Sequence, residues 1–219
     1  MRRPRRTMSP GALSYAQSPV DGGRTPWREA HYCVVDLELS GLDPRTDEIL
    51  SFAAVPIDDG RVMAGQALYG LCRPTRPVPE RSVLVHGLRT VDLEEAPTLD
   101  EAIQPLLSAM AGRVTVVHVA WVERSFLGRA FAPLGIRLRE PVLDTYELGR
   151  LLALARREPS PPTSLGALAV SLGLPIHRPH HALGDALTTA QVFVALATHL
   201  NAFSTETVRS LARAKTRLD

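Results

Sequence analysis

The sequence has little of what marks membrane, disulfide-stabilised or lysine-rich proteins. Lys215 is the only lysine, and Cys33 and Cys72 are the only cysteines. Both cysteines lie in apolar, strand-like runs, which favours reduced core residues over a disulfide or a zinc site and suits a cytoplasmic location. No apolar run approaches the roughly 20 residues that a membrane span requires. We therefore expect a soluble globular chain of 219 residues without a membrane anchor.

The net charge of +2 hides an asymmetry along the chain. Residues 1–28 contain six arginines and a single acidic residue, so the remainder of the chain is slightly acidic. A basic surface spread over the folded part is therefore excluded, and any contact with nucleic acid must be local. Residues 1–29 are rich in Arg, Pro, Gly and Ser without periodicity, which predicts a disordered basic arm that could attract phosphates.

Hydrophobic periodicity predicts an α/β protein between residues 30 and 202, followed by a C-terminal helix or tail over 203–219. Three strands come first, joined by short turns, and strands then alternate with helices. The predicted strands span 31–36, 48–57, 62–72, 114–118 and 142–144, and the predicted helices span 98–110, 122–131, 145–156, 165–172, 181–200 and 205–214. This order predicts a mixed sheet of about five strands, the first three antiparallel, with helices on its faces. Residues 85–88 are predicted as a short turn.

Two carboxylates stand two residues apart at the end of the first strand. Side chains alternate along a strand, so Asp36 and Glu38 should share one face while Leu37 points to the other. Two carboxylates this close repel each other unless one is protonated or a cation lies between them, which makes a divalent metal their natural complement. Taken alone, the pair could equally be a solvated strand end.

The second half of the chain adds two acidic residues and a histidine to this pair. Glu123 stands at a predicted helix start, where the helix dipole alone would favour an acidic residue. His180 precedes Asp185 by five residues, and Asp185 lies on a predicted helix where a solvated position is the simpler explanation. No one of these features identifies a site by itself.

Taken in order, the motifs resemble one protein family. They are Asp36-Leu37-Glu38, Val85-His86-Gly87-Leu88, the segment from His118 through Glu123 to Leu127, Leu143-Asp144-Thr145, and His180-x-Ala-x-x-Asp185-Ala186. The chain is similar to the DEDDh (DnaQ-like) 3′–5′ exonucleases, in the branch of the epsilon proofreading subunit of bacterial DNA polymerase III. The resemblance implies a ribonuclease-H-like exonuclease fold over residues 30–202.

The resemblance also implies roles for individual residues. It implies that two divalent cations, Mg²⁺ or Mn²⁺, bind to four carboxylates, namely Asp36, Glu38, Glu123 and Asp185. His180 would be the general base, with the neighbouring His181 as the alternative. The substrate-binding residues expected from the family are Leu39, Ser40, Gly41, His86, His118 and Trp121.

Two positions depart from the family pattern. Residue 123 is Glu where the family has Asp, and residue 119 is Val where the family usually has Asn. A glutamate is one methylene longer but can still ligate Mg²⁺, so we expect a retained metal site. The apolar residue at 119 is expected to change contacts with the nucleotide and thereby substrate choice, without abolishing hydrolysis.

The sequence therefore predicts a metal-dependent 3′–5′ exonuclease that releases nucleoside 5′-monophosphates from single-stranded or frayed DNA ends. Such an enzyme would act in proofreading or DNA repair, as a subunit of a polymerase or by itself. Two alternatives stay open. One is an exoribonuclease of the same family, since the motifs do not report the sugar. The other is a catalytically weakened module that binds nucleic acid or a polymerase.

Overall fold

The structure is a computed structural model that describes residues 8–214 of the chain. Its strands are β1 (Tyr32–Leu39), β2 (Ile49–Asp58), β3 (Arg61–Val62), β4 (Leu68–Leu71), β5 (Val114–Val117) and β6 (Val142–Asp144). Its helices are α1 (Pro10–Gln17), α2 (Glu80–His86), α3 (Leu99–Met110), α4 (Trp121–Phe131), α5 (Thr145–Arg156), α6 (Leu165–Ser171), α7 (Ala182–Asn201) and α8 (Val208–Ala212). Short 3-10 turns span Ala64–Gln66, Thr90–Leu93 and Ala132–Leu134.

The strands form one mixed sheet in the order β3-β2-β1-β5-β6, and β4 also pairs with β2. β1 and β2 are antiparallel, as are β2 and β3 and β2 and β4. β5 is parallel to β1, and β6 is parallel to β5. The prediction of an α/β fold with a mixed sheet flanked by helices is confirmed, and its antiparallel strands come first in the chain.

The predicted third strand, 62–72, was wrong in one respect. The structure divides it into β3 and β4, with the Ala64–Gln66 turn between them. Ala64, Gly65 and Gln66 are all exposed, so no buried side chain holds this stretch against the sheet. Pairing with β2 resumes at Leu68, which lies opposite Ala54.

The core lies in two apolar layers, one on each face of the sheet. Helix α7 packs on one face, where Phe193 meets Tyr32 of β1 with ring centroids 4.7 Å apart. Helices α3 and α4 pack on the other face, where Leu106 and Phe131 are fully buried. Burial of each large apolar side chain contributes roughly 1.5–3 kcal/mol, so the two layers fix β1 between them.

The prediction of a disordered arm over residues 1–29 was wrong for its larger part. Residues 10–17 form α1, which packs on α3 and buries Ala12 and Tyr15. Trp27 is 1% exposed and makes an edge contact with Phe193 on α7. A few buried side chains thus hold a segment whose composition is typical of disorder. Residues 1–7, which include four of the arginines, lie outside the described residues.

The predicted turn at 85–88 is the end of a helix. Helix α2 ends at His86, and Gly87 follows in a left-handed conformation with φ +77°. A glycine in this conformation commonly terminates a helix, because other residues have a Cβ that disfavours it. Glu80 in the first turn suits the helix dipole. The sequence therefore contained the signals for α2, but its seven residues are too few for a clear period.

The start of α3 agrees with the prediction from a local sequence signal. The Thr98 and Glu101 side chains form the predicted capping box there. The C-terminal helix α8 is shorter than predicted and buries Val208 and Leu211 against the core. Within the described residues no helix is long and apolar enough to span a membrane. Both cysteines are free and buried, as predicted.

Candidate active site

Strand β1 presents different chemistry on its two faces. Tyr32 and Val34 point towards the layer of α7, and the alternation places Asp36 and Glu38 on that same side. Val35 and the other odd-numbered residues of the strand belong to the opposite, wholly apolar layer. The predicted common face of the two carboxylates is confirmed. The polar end of this face lies where β1 leaves the sheet.

Helix α7 brings a third carboxylate to the same place. One oxygen each of Asp36, Glu38 and Asp185 lies within 4.8 Å of the others, the spacing that a shared metal ion requires. We name these three residues the acidic cluster. Asp185 reaches β1 because the alanine-rich start of α7 packs closely on the sheet, with Ala182 and Ala186 fully buried.

The acidic cluster is electrostatically unfavourable as it stands. Burial raises the pKa of Asp36 well above its usual range, and the neighbouring Glu123, Glu38 and Asp185 raise it further. Burial and Asp185 raise the pKa of Glu38 to about 7. Burial also raises the pKa of Asp185. Like charges in a poorly solvated place disfavour ionisation, and a cation between them would reverse this.

Glu123 approaches the acidic cluster from helix α4. Its side chain is 5% exposed, and its Oε2 atom is buried without a hydrogen-bond partner. Burial raises the pKa of Glu123 to about 8, and the Asp144 carboxylate adds to this. Glu123 does not belong to the group within 4.8 Å, although its charge acts on Asp36. Glu123 is therefore a buried carboxylate close to the acidic cluster but outside it.

Oxygen-rich, poorly solvated carboxylates are the donor set that hard divalent cations prefer. The unpartnered Oε2 of Glu123 and the raised pKa values in the acidic cluster are what such a site shows when its charge is uncompensated. None of the ion pairs among the described residues involves these four carboxylates. The residues present therefore fit a divalent metal.

Asp144 stands in one of the sequence motifs, which assigned it no role, and the structure shows what its carboxylate contacts. Its Oδ1 accepts hydrogen bonds from the backbone N–H groups of Val119 and Tyr146, and its Oδ2 accepts one from Ala120. It thereby caps α5 and fixes the loop that leads into α4 and Glu123. Val119 has φ +64°, an uncommon conformation for a β-branched residue, and the Asp144 contact holds it there. The proximity of 144 to 119 depends on the fold.

His180 lies at the end of the loop before α7. Its side chain is exposed, its φ is +56°, and its backbone N–H donates to Asp185 Oδ2 over 2.9 Å. The same loop is held at its start, where His177 N–H donates to Thr188 Oγ1 over 3.0 Å. Gly184 permits this packing, because a Cβ there would lie 2.4 Å from the Arg178 carbonyl oxygen. The loop thus presents an imidazole beside the acidic cluster.

A cleft of about 560 Å³ opens beside Glu38 and is lined mainly by apolar surface. Its walls are Leu37, Glu38, Leu39, Gly41, Leu42, Arg81, Ser82, Val85, His86 and Val122. Three of the predicted substrate-binding residues therefore line it, namely Leu39, Gly41 and His86. Burial lowers the pKa of His86, and the nearby His180 lowers it further, so the cleft lies close to the loop that carries His180. The apolar walls suit a nucleobase.

The other three predicted substrate-binding residues, Ser40, His118 and Trp121, do not line this cleft. Ser40 is buried; its Oγ accepts from Glu48 N–H and donates to Asp47, which ties the β1–β2 turn together. His118 has both ring nitrogens engaged, with the Thr145 hydroxyl at 2.9 Å and the Thr163 carbonyl at 3.0 Å. Trp121 is 52% exposed at the start of α4 and does not line the cleft.

Residues 33–193 match the family described as Exonuclease (RNase_T). The chain is 36% identical over 195 residues to a Rhodobacter capsulatus protein named DNA polymerase III subunit epsilon-like protein, covering 88% of this chain and 26% of the relative. It is 26% identical over 187 residues to the DNA polymerase III subunit epsilon of Aquifex aeolicus, and the match covers 85% of this chain and 86% of that relative. It thus spans about a quarter of the Rhodobacter relative's length.

Among solved structures, the chain resembles Exonuclease X in complex with 5′ overhanging duplex DNA, with a TM-score of 0.64 and 23% identity. The match covers 84% of this chain and 98% of that one. At this identity the likeness shows the fold, which agrees with the ribonuclease-H-like architecture predicted from the sequence.

Proposed function

Because the chain belongs to the exonuclease family, a family of divalent-metal-dependent nucleases, we propose that it removes nucleotides from the 3′ end of single-stranded or frayed DNA. The products are nucleoside 5′-monophosphates. The observation that carries the proposal is the acidic cluster, in which Asp36, Glu38 and Asp185 meet within 4.8 Å beside the apolar cleft. DNA is favoured over RNA because the similar proteins are named for DNA polymerase III and for a DNA complex.

We assign Asp36, Glu38 and Asp185 as metal ligands, with Glu123 as the fourth, for two Mg²⁺ or Mn²⁺ ions. Bound divalent cations supply Lewis-acid stabilisation of the attacking and leaving oxygens in phosphodiester hydrolysis. The carboxylates hold these charges in place and lose their mutual repulsion in doing so. Glu123 lies buried on the α4 side of the site.

His180 acts as the general base. Its exposed imidazole, on the loop that also donates to Asp185, takes the proton from the attacking water. Histidine is the side chain that most often transfers protons near neutral pH. The terminal base enters the cleft between Leu39 and His86, where apolar walls accept any base without reading its edges.

The biological setting is part of the same proposal. The names of the relatives favour proofreading or repair, with a DNA polymerase as partner, in the cytoplasm. The reduced, buried cysteines are consistent with that compartment.

The test is digestion of matched 5′-labelled DNA and RNA oligonucleotides with Mg²⁺, with Mn²⁺ and with EDTA. We expect a ladder that shortens from the 3′ end of DNA, requires metal and is lost in His180→Ala. His199→Ala is the matched control, because His199 stands near the far end of the same helix as Asp185. A folded, metal-supplied protein that cleaves neither polymer would refute the proposal, and faster RNA cleavage would reassign the substrate.

A further inference from the structure

A stacked ring pair joins strand β4 to the loop that carries His180. Tyr69 of β4 and His181 lie with ring centroids 4.7 Å apart and planes 19° apart. Tyr69 is fixed from the other side by its position in the sheet, where it pairs with Ala53 of β2. The ring pair therefore connects a rigid element to the residue that directly follows His180.

Tyr69 lies on the same face of the sheet as the acidic cluster. It pairs with Ala53 of β2, and Ala53 pairs in turn with Asp36 of β1. Residues directly opposite each other on neighbouring strands share a face, so Tyr69 and Asp36 stand in one row across the sheet. One residue thus stands beside the metal-ligand side of the site through its strand and contacts the histidine loop through its ring.

The loop requires such a contact because its backbone is not in a relaxed conformation. His180 has φ +56° and Arg178 has φ +24°, a region that residues with a Cβ populate only when their surroundings hold them there. Two hydrogen bonds also hold this end of the loop: His180 N–H donates to Asp185 Oδ2, and the His181 carbonyl accepts from Asp185 N–H over 3.0 Å. Both bonds involve Asp185, a metal ligand in the proposed enzyme, whereas the ring stack is a support that does not involve a metal ligand.

We propose that Tyr69 and His181 are positioning residues whose ring stack holds His180 in place for proton transfer. This inference rests on the proposed role of His180 as the general base. Neither ring lines the cleft, so the stack acts on the chemical step and not on substrate binding. Its loss lowers kcat and leaves KM within about twofold.

Two variants of Tyr69 test the contribution of its ring separately from that of its hydroxyl. Tyr69→Phe keeps the ring and removes the hydroxyl, whereas Tyr69→Leu removes the ring. We expect Tyr69→Leu and His181→Ala each to lower kcat about three- to tenfold, the range that a lost aromatic pair produces. Tyr69→Phe and His181→Phe should retain at least half of the wild-type kcat. The double variant Tyr69→Leu/His181→Ala should lose no more than either single variant, because both remove the same contact.

A second measurement does not depend on turnover. The amide hydrogen of His180 is protected by its bond to Asp185, so its exchange rate reports whether the loop is in place. In metal-free protein we expect faster exchange at His180 in Tyr69→Leu and unchanged exchange in Tyr69→Phe. The amide of His177, which is bonded to Thr188 at the other end of the loop, is the internal control.

The outcomes distinguish this inference from the proposed function. If the wild type cleaves nothing, the proposed function fails. Unchanged His180 exchange in Tyr69→Leu would then also overturn the stack as the support of the loop. If the wild type is active, a wild-type kcat in folded Tyr69→Leu overturns the inference. An equal loss of kcat in Tyr69→Phe also overturns the inference, because it would assign the effect to the hydroxyl and not to the ring.

Discussion

Asp36 and Asp144 both lie on strands of the same sheet, in motifs of the same family, yet their surroundings are opposite. Asp144 accepts three backbone N–H bonds, from Val119, Ala120 and Tyr146. The Asp36 carboxylate receives no hydrogen bond within residues 8–214 and faces other carboxylates. A carboxylate satisfied by backbone donors stabilises the fold, whereas one left among like charges is suited to binding a cation.

The largest effect should come from replacing the unsatisfied member of this pair. Asp36→Asn removes a proposed metal ligand without changing the shape of the side chain, so we expect exonuclease activity to fall by roughly a thousandfold. The free energy of unfolding in EDTA should stay the same or rise, because a buried repulsive charge is gone. Activity on DNA and chemical denaturation would be measured side by side. A variant that kept wild-type turnover would remove Asp36 from the metal site.

Replacing Asp144, whose carboxylate is hydrogen-bonded, should have the opposite effect on the free energy of unfolding. Asp144→Asn places an amide N–H₂ group against backbone N–H donors, and a hydrogen bond to a charged group is lost. We expect the protein to be destabilised by about 2 kcal/mol. Urea denaturation in EDTA measures this, with Asp36→Asn as the matched control. If the two variants had equal free energies of unfolding, the backbone hydrogen bonds of Asp144 would contribute no more to stability than the surroundings of Asp36.

Glu123 stands between these extremes, since it is buried and unpartnered but outside the acidic cluster. Glu123→Gln should lower activity about 10- to 100-fold, less than Asp36→Asn, because Glu123 is the proposed fourth ligand and lies outside the acidic cluster. It should also reduce the rise in Tm that Mg²⁺ produces, because weaker binding stabilises the native state less. Thermal unfolding with and without Mg²⁺ measures this rise. An unchanged rise would place Glu123 outside the metal site, and Glu123→Asp shows whether the family residue restores a faster rate.

The smallest expected effect is the contribution of His118, which lies near Asp144, to the pH dependence of stability. Burial lowers the pKa of His118, so the folded protein keeps this ring neutral while the unfolded chain takes up a proton near pH 6.5. The stability contributed by His118 is therefore present above pH 6.5 and is lost as pH falls below it. His118→Gln should reduce the drop in Tm between pH 7 and pH 5 by roughly 2 °C. The other histidines are present in both the wild type and His118→Gln, so a difference between their pH profiles reports His118. A drop of equal size in both would show that His118 does not titrate with folding.

Much of the fold followed from local sequence signals. Period-two alternation placed Asp36 and Glu38 on one face, and the Thr98–Glu101 pair marked the start of α3. Both depend on residues at most four positions apart. The N-terminal helix was missed because its few large side chains, such as Tyr15, are buried by contacts with residues more than 100 positions away.

Some of the substrate-binding roles expected from the motifs stay predictions. His118 and Ser40 stand in motif positions expected to bind substrate, but their polar atoms are hydrogen-bonded within the protein. A motif reports which residue type is present and not what that residue contacts. Asp144 shows the reverse case, because its partners at 119 and 120 lie on another strand-to-helix connection.

The sequence by itself determined the α/β class, the alternation that gives β1 a charged face, and the family resemblance. Only the tertiary structure decided that Asp185, about 150 residues further along, lies within 4.8 Å of Asp36 and Glu38. It also decided that Glu123 stops short of them and that Tyr69 stacks on His181. The physical reason is that alternation and capping act between near neighbours, whereas these distances are set by how α4, α7 and β4 pack on the sheet.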